Sequence, residues 1–236
     1  MTEMRDIRRA FKAAFPHTIP ILAGFLFVGL SYGLYMNAEG FPFWYPFLMA
    51  LLIFGGSLEF IAASMLLTPF APVQMLIVAF MVQARHLFYG ISMLKKYRGI
   101  GKKKWYMIFG LCDETFAINY STEIPDGIDK GWFYFAVTIL DHFYWVIGAL
   151  IGGLLGAIIP FSTEGIEFVM TALFLVIFID QWRKEKRHVS ALVGILASVA
   201  CLLVFGADSF LIPTMLCIVL LLTVFRKPLE KRWQKK

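Results

Sequence analysis

Long apolar runs separated by short polar loops make up almost the whole chain. Each run is long enough, or nearly so, for a helix to cross the roughly 30 Å hydrocarbon core of a bilayer. The runs cover residues 18–38, 47–67, 73–94, 105–120, 131–159, 165–181, 188–205 and 208–225. The pattern predicts an all-α fold, a polytopic transmembrane helical bundle with about 6–8 membrane segments, one or two of them broken or re-entrant, in a single domain over residues 1–236.

Both ends of the chain carry positive charge outside these runs. Residues 1–15 have apolar residues on one helical face and arginines on the other, which predicts an amphipathic helix at the membrane interface. Pro16 and Pro20 are then expected to open the first span, because the first turn of a helix tolerates proline. Residues 226–236 are predicted to form a basic cytoplasmic tail.

Clusters of lysine and arginine mark the cytoplasmic side of a membrane protein, and this chain has four of them. They lie in the N-terminal segment, in residues 95–104, in residues 183–187 and in the C-terminal tail. If all four are cytoplasmic, an even number of crossings must separate each pair. Three apolar runs separate the first cluster from the second, and three separate the second from the third. One run in each block is therefore predicted not to cross as a plain helix.

Two runs are the best candidates for these exceptions. Residues 47–67 are interrupted by the pair Gly55-Gly56, and residues 105–120 form a short run with two acidic residues. Broken or re-entrant segments in corresponding positions of two halves are a sequence pointer to a transporter's binding site. A miscounted long run at 131–159 would also restore the even count, and that alternative stays open.

The composition agrees with a membrane protein and excludes several function classes. Hydrophobic residues make up 59% of the chain and charged residues 16%, against about 25% charged in a soluble domain. The basic residues lie between apolar runs, so membrane lipids rather than nucleic acid are the expected surroundings. Phosphate-loop, zinc-protease and serine-hydrolase motifs are absent, and the histidines are too scattered for a metal site. We therefore expect no enzyme activity, no metal and no cofactor.

A polar stretch at residues 83–90 interrupts the run 73–94 and places Arg85 near the middle of the bilayer. An unpaired arginine at that depth is costly, so it needs a partner or a water-filled cavity. One interpretation is a structural ion pair that ties helices together. The other, which we favour, is that Arg85 lines a path for substrate or protons.

Acidic residues at the same depth are the expected partners of this arginine. Arg85 and His86 lie about as far before the loop 95–104 as Asp113 and Glu114 lie after it. A hairpin closed by this loop would bring opposite charges together, where they relieve each other's desolvation. His86, Asp113 and Glu114 are therefore candidates for ion pairing or proton coupling.

The long run 131–159 carries a stripe of polar and small residues at helical spacing. Its members are Tyr134, Thr138, Asp141, Trp145, Gly148, Gly152 and Gly156. The Gly-xxx-Gly repeats are typical of close helix packing, which we predict for most of the stripe. Asp141 and the adjacent His142 are exceptions because both are ionisable at membrane depth, and Asp141 joins the candidates for proton coupling.

Three motifs resemble those of the AzlC family, the large subunit of two-component branched-chain amino acid exporters. They are GGSLEF at residues 55–60, QARHLFYG at residues 83–90 and CDETFA at residues 112–117. The resemblance extends over nearly the whole chain. It implies a multi-pass protein of the bacterial or archaeal plasma membrane that exports branched-chain amino acids with a small AzlD-type membrane subunit. The positive loops predict cytoplasmic N- and C-termini.

Two positions depart from the common family pattern. Many members have asparagine where this chain has Gln83, and glutamine where it has Glu59. Both departures keep a hydrogen-bonding side chain, but Glu59 adds a titratable charge. The coupling ion and the substrate preference therefore stay open.

The resemblance and the positions of the charges together predict a substrate site. Arg85 suits the carboxylate of an amino acid, since a guanidinium binds it through two hydrogen bonds. Glu59, next to the Gly55-Gly56 break, is the expected partner of the ammonium group, because backbone at such a break can face a cavity. Gln83 and the two glycines of the break, Gly55 and Gly56, complete the predicted substrate-binding site.

Two other function classes stay open at this stage. One is a proton-coupled transporter or channel for another small solute, which flux measurements in vesicles would reveal. The other is a structural or sensory membrane subunit in which the arginine is only a brace. Reversing the charges of the pair distinguishes these classes, because a brace tolerates the reversal and a translocation site does not.

Overall fold

The computed structural model describes residues 2–158, 188–206 and 210–224, together with single positions between 159 and 187. The regular elements in these residues are helices, which confirms the all-α class for this part of the chain. They are α1 (Thr2–Ala38), α2 (Trp44–Leu52), α3 (Ser57–Leu66), α4 (Pro72–Gln83), α5 (Arg85–Met93), α6 (Lys103–Phe109), α7 (Asp113–Ser121), α8 (Lys130–Ile158), α9 (Val189–Phe205) and α10 (Leu211–Val224). The predicted run 165–181, the basic cluster 183–187 and the tail 226–236 fall wholly or mostly outside the described residues.

The chain divides into two compact units, Met1–Thr171 and Ala172–Lys236. In the second unit, α9 and α10 pack against each other. The first unit contains α1 to α8 and every residue of the predicted site.

The two longest helices, α1 and α8, form the centre of the first unit. Each is long and apolar enough to cross a membrane, and the bent pair α4–α5 would add a third span. Glycine permits their close contact. A side chain added at Gly148 would lie 2.9 Å from the carbonyl oxygen of Phe25, and one added at Gly33 would meet the backbone of Ala149. The predicted packing role of the glycine stripe is therefore confirmed.

The helices α1 and α8 run in the same direction. His17 lies against Phe133 towards their N-terminal ends, with ring centroids 5.9 Å apart. Asn37 packs on Gly156 towards their C-terminal ends. We call the side on which both helices begin the basic end, because the N-terminal arginines lie there, and the side on which both finish the far end.

The helix α1 continues through both of its prolines. The prediction that Pro16 and Pro20 open a new helix is wrong, since they lie inside one that begins at Thr2. Packing along α8 supports this turn: the Thr18 hydroxyl donates to a backbone carbonyl and lies 3.1 Å from the hydroxyl oxygen of Tyr144. An interfacial position for residues 1–15 stays a prediction.

Both runs that were expected to be irregular are interrupted. In the first, α2 ends at Leu52 and α3 begins at Ser57, and Phe54 and Gly56 between them have φ values of 49° and 50°. In the second, α6 and α7 are separated by residues 110–112. The predicted break near the glycine pair is therefore confirmed. The run 73–94 is also irregular, because α4 and α5 are bent by 53°, which the sequence pattern did not predict.

The helices α6 and α7 form a hairpin that begins and finishes at the basic end. Lys103, at the start of α6, lies 3.5 Å from the ring centroid of Trp132 near the start of α8. The break after α6 packs against Thr138, further along α8. The chain then returns, because the Lys96 ammonium donates to the carbonyl oxygen of Tyr120, at the end of α7, over 2.6 Å.

The helices α2 and α3 form a second hairpin, at the far end. Phe43, just before α2, packs on Gly153 near the end of α8. The chain runs inward along α8 and turns at residues 53–56. It then returns, because Phe60 of α3 stacks on Tyr35 near the end of α1, with ring centroids 5.8 Å apart.

Candidate functional site

The predicted pair of Arg85 and Asp113 comes together in the structure. Arg85 begins α5 after the bend, and Asp113 begins α7 after the break. Arg85 Nε lies 3.1 Å from Asp113 Oδ1, and the two side chains are 37% and 26% exposed. Neither atom makes an aligned hydrogen bond within the described residues, so the contact is mainly a charge pairing. A guanidinium that is partly exposed in this way can bind another anion.

A second cluster surrounds the turn between α2 and α3. The Gly55 N–H donates to Glu59 Oε1 over 2.7 Å, and the Gly55 carbonyl accepts from Gln83 Nε2 over 3.0 Å. Trp145 Nε1 of α8 donates to Glu59 Oε2 over 3.1 Å. The structure therefore unites Gly55, Glu59 and Gln83, and Gly56 supplies the positive φ of the turn.

The two polar partners of Gly55 differ in their accessibility. Glu59 is 0% exposed, and both carboxyl oxygens already accept hydrogen bonds. Gln83 is half-buried, and its Oε1 has no hydrogen-bond partner in the described part of the chain. An unpaired buried acceptor calls for a donor from outside the described residues or from a ligand.

Asp141 lies on α8 one helical turn before Trp145 and is 0% exposed. The Thr115 hydroxyl donates to Asp141 Oδ2 over 2.8 Å, whereas Oδ1 has no partner among the described residues. Thr115 lies two residues after Asp113, in the first turn of α7. The buried acid is therefore connected to the ion pair through one short segment.

The remaining predicted residues lie beside these clusters. His86 Nδ1 is 3.3 Å from the carbonyl oxygen of Gln83, and the ring packs edge-on against Tyr89 with centroids 5.5 Å apart. Glu114 is partly buried between Asp113 and Thr115. No group of three potential metal ligands occurs in the part of the chain that the structure describes.

The sequence pattern missed two contacts beside the predicted site. Trp145 was placed in the packing stripe, yet it donates to Glu59. The pattern marks His142 only as ionisable, but its ring contacts two other elements. Nδ1 lies 2.7 Å from the Tyr106 hydroxyl of α6, and Nε2 lies 3.2 Å from the Ala50 carbonyl oxygen of α2. For His142 the available signal was its position next to Asp141 in the sequence.

Comparison with known proteins identifies the family of the chain. The family described as AzlC protein matches residues 20–159. The branched-chain amino acid transport protein AzlC of Bacillus subtilis is 59% identical over 98% of this chain and 91% of that protein. The chain belongs to the AzlC family. The matched range contains both hairpins, the bent pair α4–α5 and every predicted site residue.

Two further relatives are described as membrane proteins. An uncharacterized membrane protein of Haemophilus influenzae is 52% identical over 96% of this chain and 93% of its own. One of Helicobacter pylori is 37% identical over 96% of this chain and all of its own. No solved structure matches the chain. This AzlC homologue is therefore a membrane protein of a transport family, and the prediction that it is not an enzyme is confirmed.

Proposed function

We propose that this member of the AzlC family exports branched-chain amino acids across a bacterial or archaeal plasma membrane, together with a small AzlD-type subunit. The name of the Bacillus subtilis relative, at 59% identity, supports the substrate class. The observation that carries the proposal is the partly open Arg85–Asp113 pair at the place where a helix bend meets a helix break. Intramembrane charge of this kind is typical of a translocation path.

The amino acid binds through both of its charged groups. Its carboxylate takes the place of Asp113 on the Arg85 guanidinium, which can bind it through two hydrogen bonds. Its ammonium donates to Gln83 Oε1, two residues away, which has no hydrogen-bond partner in the described part of the chain. Glu59 is closed off in this state, so it acts from behind the Gly55-Gly56 turn, where it holds the turn and contributes negative charge.

Transport is coupled to protons that move against the substrate. The candidates are His86, Asp113, Glu114 and Asp141. Asp141 is favoured among them because it is fully buried and one of its carboxyl oxygens has no partner among the described residues. A carboxyl group in such a place is more readily accommodated when it carries a proton.

The proposed topology follows from the basic clusters. The N-terminus, the loop 95–104 and the C-terminal tail are cytoplasmic, and membrane lipids cover the apolar faces. The whole chain acts as a single transporter domain with about 6–8 membrane segments. The AzlD-type subunit completes the exporter.

Amino acid efflux tests this function. Cells preloaded with a valine- or leucine-containing dipeptide should release the free amino acid faster when this protein and the AzlD-type subunit are both present than when either is missing. Uptake in place of efflux, measured in vesicles of known orientation, would indicate an importer or channel. Unchanged efflux with both subunits in the membrane would indicate a structural or sensory subunit.

A further inference from the structure

We propose that α2–α3 and α6–α7 are two re-entrant hairpins that enter the membrane from opposite faces and meet at His142, where they act as the outer and inner gates of one transport path. The role of the hairpins as gates rests on the proposed transport function. Their arrangement rests only on the contacts between residues described below. We call α2–α3 the outer hairpin and α6–α7 the inner hairpin.

Each hairpin is too short to be a pair of spans. The helices of the outer hairpin have 9 and 10 residues, and those of the inner hairpin have 7 and 9. At about 1.5 Å per residue each arm is roughly 10–15 Å long, which is half of the hydrocarbon core at most. Both arms of a hairpin also finish at the end of α8 where they began. Each hairpin therefore dips to mid-depth and returns.

The tips of the two hairpins touch. Phe54, in the outer break, lies 6.5 Å from Phe109 between ring centroids, and a side chain added at Gly110 would lie 3.9 Å from the Phe54 ring. His142 joins the tips, because one ring nitrogen faces Tyr106 of the inner hairpin and the other faces the Ala50 carbonyl of the outer one. A path along this face of α8 is thus closed from both sides at one level.

The bent pair α4–α5 contacts both tips through neighbouring residues. Gln83, at the end of α4, donates to Gly55 of the outer hairpin. Arg85, at the start of α5, pairs with Asp113 of the inner hairpin. We call these contacts the outer latch and the inner latch. A zwitterion whose carboxylate binds Arg85 competes with the inner latch, whereas its ammonium binds Oε1 of Gln83 and leaves the Nε2 bond of the outer latch intact. Substrate binding therefore changes the relative stability of the two gates.

This arrangement also satisfies the positive-inside rule. If neither hairpin crosses, α1 and the bent pair α4–α5 are the two crossings between the first and second basic clusters. The helix α8 then begins on the cytoplasmic side, as its parallel packing with α1 requires. The number of membrane crossings between the first two basic clusters is then two, which keeps both clusters on the cytoplasmic side.

Cysteine labelling from one side of the membrane tests the topology. In a variant carrying Cys112→Ser, Cys201→Ala and Cys217→Ala, single cysteines are placed at the ends of each hairpin by Ala38→Cys, Phe70→Cys, Lys102→Cys and Glu123→Cys. A membrane-impermeant maleimide should label the first two in intact cells and the last two only in inverted vesicles. Labelling of residues 38 and 70 from opposite faces, or of 102 and 123 from opposite faces, would overturn the hairpins whether or not the protein exports amino acids.

Labelling at the tips tests the gates. Ser57→Cys in the same background reports on the outer tip, and native Cys112 in a chain lacking the other two cysteines reports on the inner tip. Gln83→Leu removes the outer latch and should raise labelling of residue 57 from outside while lowering that of Cys112 from inside. Arg85→Ala removes the inner latch and should do the reverse. If both changes shift the two tips in the same direction, or shift neither, the hairpins are not alternating gates.

Discussion

At the scale of single residues, the exposure of the Arg85–Asp113 ion pair indicates what Arg85 does. Removing one partner of a fully buried ion pair costs about 3–5 kcal/mol, whereas exposed pairs contribute at most about 1 kcal/mol. The Arg85–Asp113 pair lies between these limits, with side chains 37% and 26% exposed. A brace built for stability would be expected to hide both groups and align their hydrogen bonds. This pair does neither, which favours a group that exchanges partners.

We expect Arg85→Lys to keep the protein in the membrane and to abolish most export. Lysine retains the charge, so the pairing with Asp113 survives, but it lacks the planar group that binds a carboxylate through two bonds. The loss of one charge-assisted hydrogen bond corresponds to about tenfold or more in transport rate. Efflux normalised to protein in the membrane measures it, with Arg98→Lys in the basic loop as the matched control. If Arg85→Lys exports at the wild-type rate and Arg85→Ala fails to accumulate in the membrane, Arg85 acts only as a structural ion-pair partner.

At the scale of helices, the stability of the first unit depends on how closely α1 and α8 approach. In a bilayer, lipid is as apolar as a leucine side chain, so helices associate through tight packing rather than through removal of apolar surface from water. Glycine lets the two backbones touch near Gly33 and Gly148. One added methyl group at such a place must separate the helices.

We therefore expect Gly33→Ala to destabilise the protein by about 1–3 kcal/mol, the usual range for overpacking. Gly24 on the same helix is the matched control, because a side chain added there meets nothing within 4 Å. The measurement is the unfolding temperature in detergent. A lower value for Gly33→Ala and an unchanged or higher value for Gly24→Ala are expected, and equal effects of the two changes would count against this packing.

Of the helix interruptions, the sequence could predict one that depends on local residues but not one that depends on tertiary contacts. The break within residues 47–67 was predictable because Gly55-Gly56 interrupts an apolar run. The bend between α4 and α5 was not, because Gln83-Ala84-Arg85 contains neither proline nor glycine. Its cause is tertiary: Gln83 is bound to the outer hairpin and Arg85 to the inner one. The continuity of α1 was missed for a related reason, since α8 supports the turn that contains both prolines.

At the scale of the whole molecule, a simple depth argument found the partner of Arg85. Arg85 lies ten residues before the basic loop 95–104 and Asp113 nine residues after it. Lys96 in that loop binds the end of α7, which places the two residues at a similar depth. The contact between Glu59 and Trp145 had no such signal, because no pattern relates residues so far apart in sequence. Charge and depth could thus predict half of the candidate site, and the other half needed the packing of the outer hairpin on α8.

The proposed coupling of export to protons involves this whole arrangement, and Asp141 is the residue at which we test it. Asp141→Asn keeps an oxygen that accepts from Thr115 but cannot release a proton. We expect this variant to exchange leucine across the membrane at equilibrium and to lose most of the acceleration that an inward proton gradient gives to efflux in the wild type. Exchange and gradient-driven efflux are measured in the same vesicles, with Asp126→Asn in an exposed loop as the control. If Asp141→Asn responds to the gradient as the wild type does, the proton is carried elsewhere, and His86, Asp113 and Glu114 become the groups to change next.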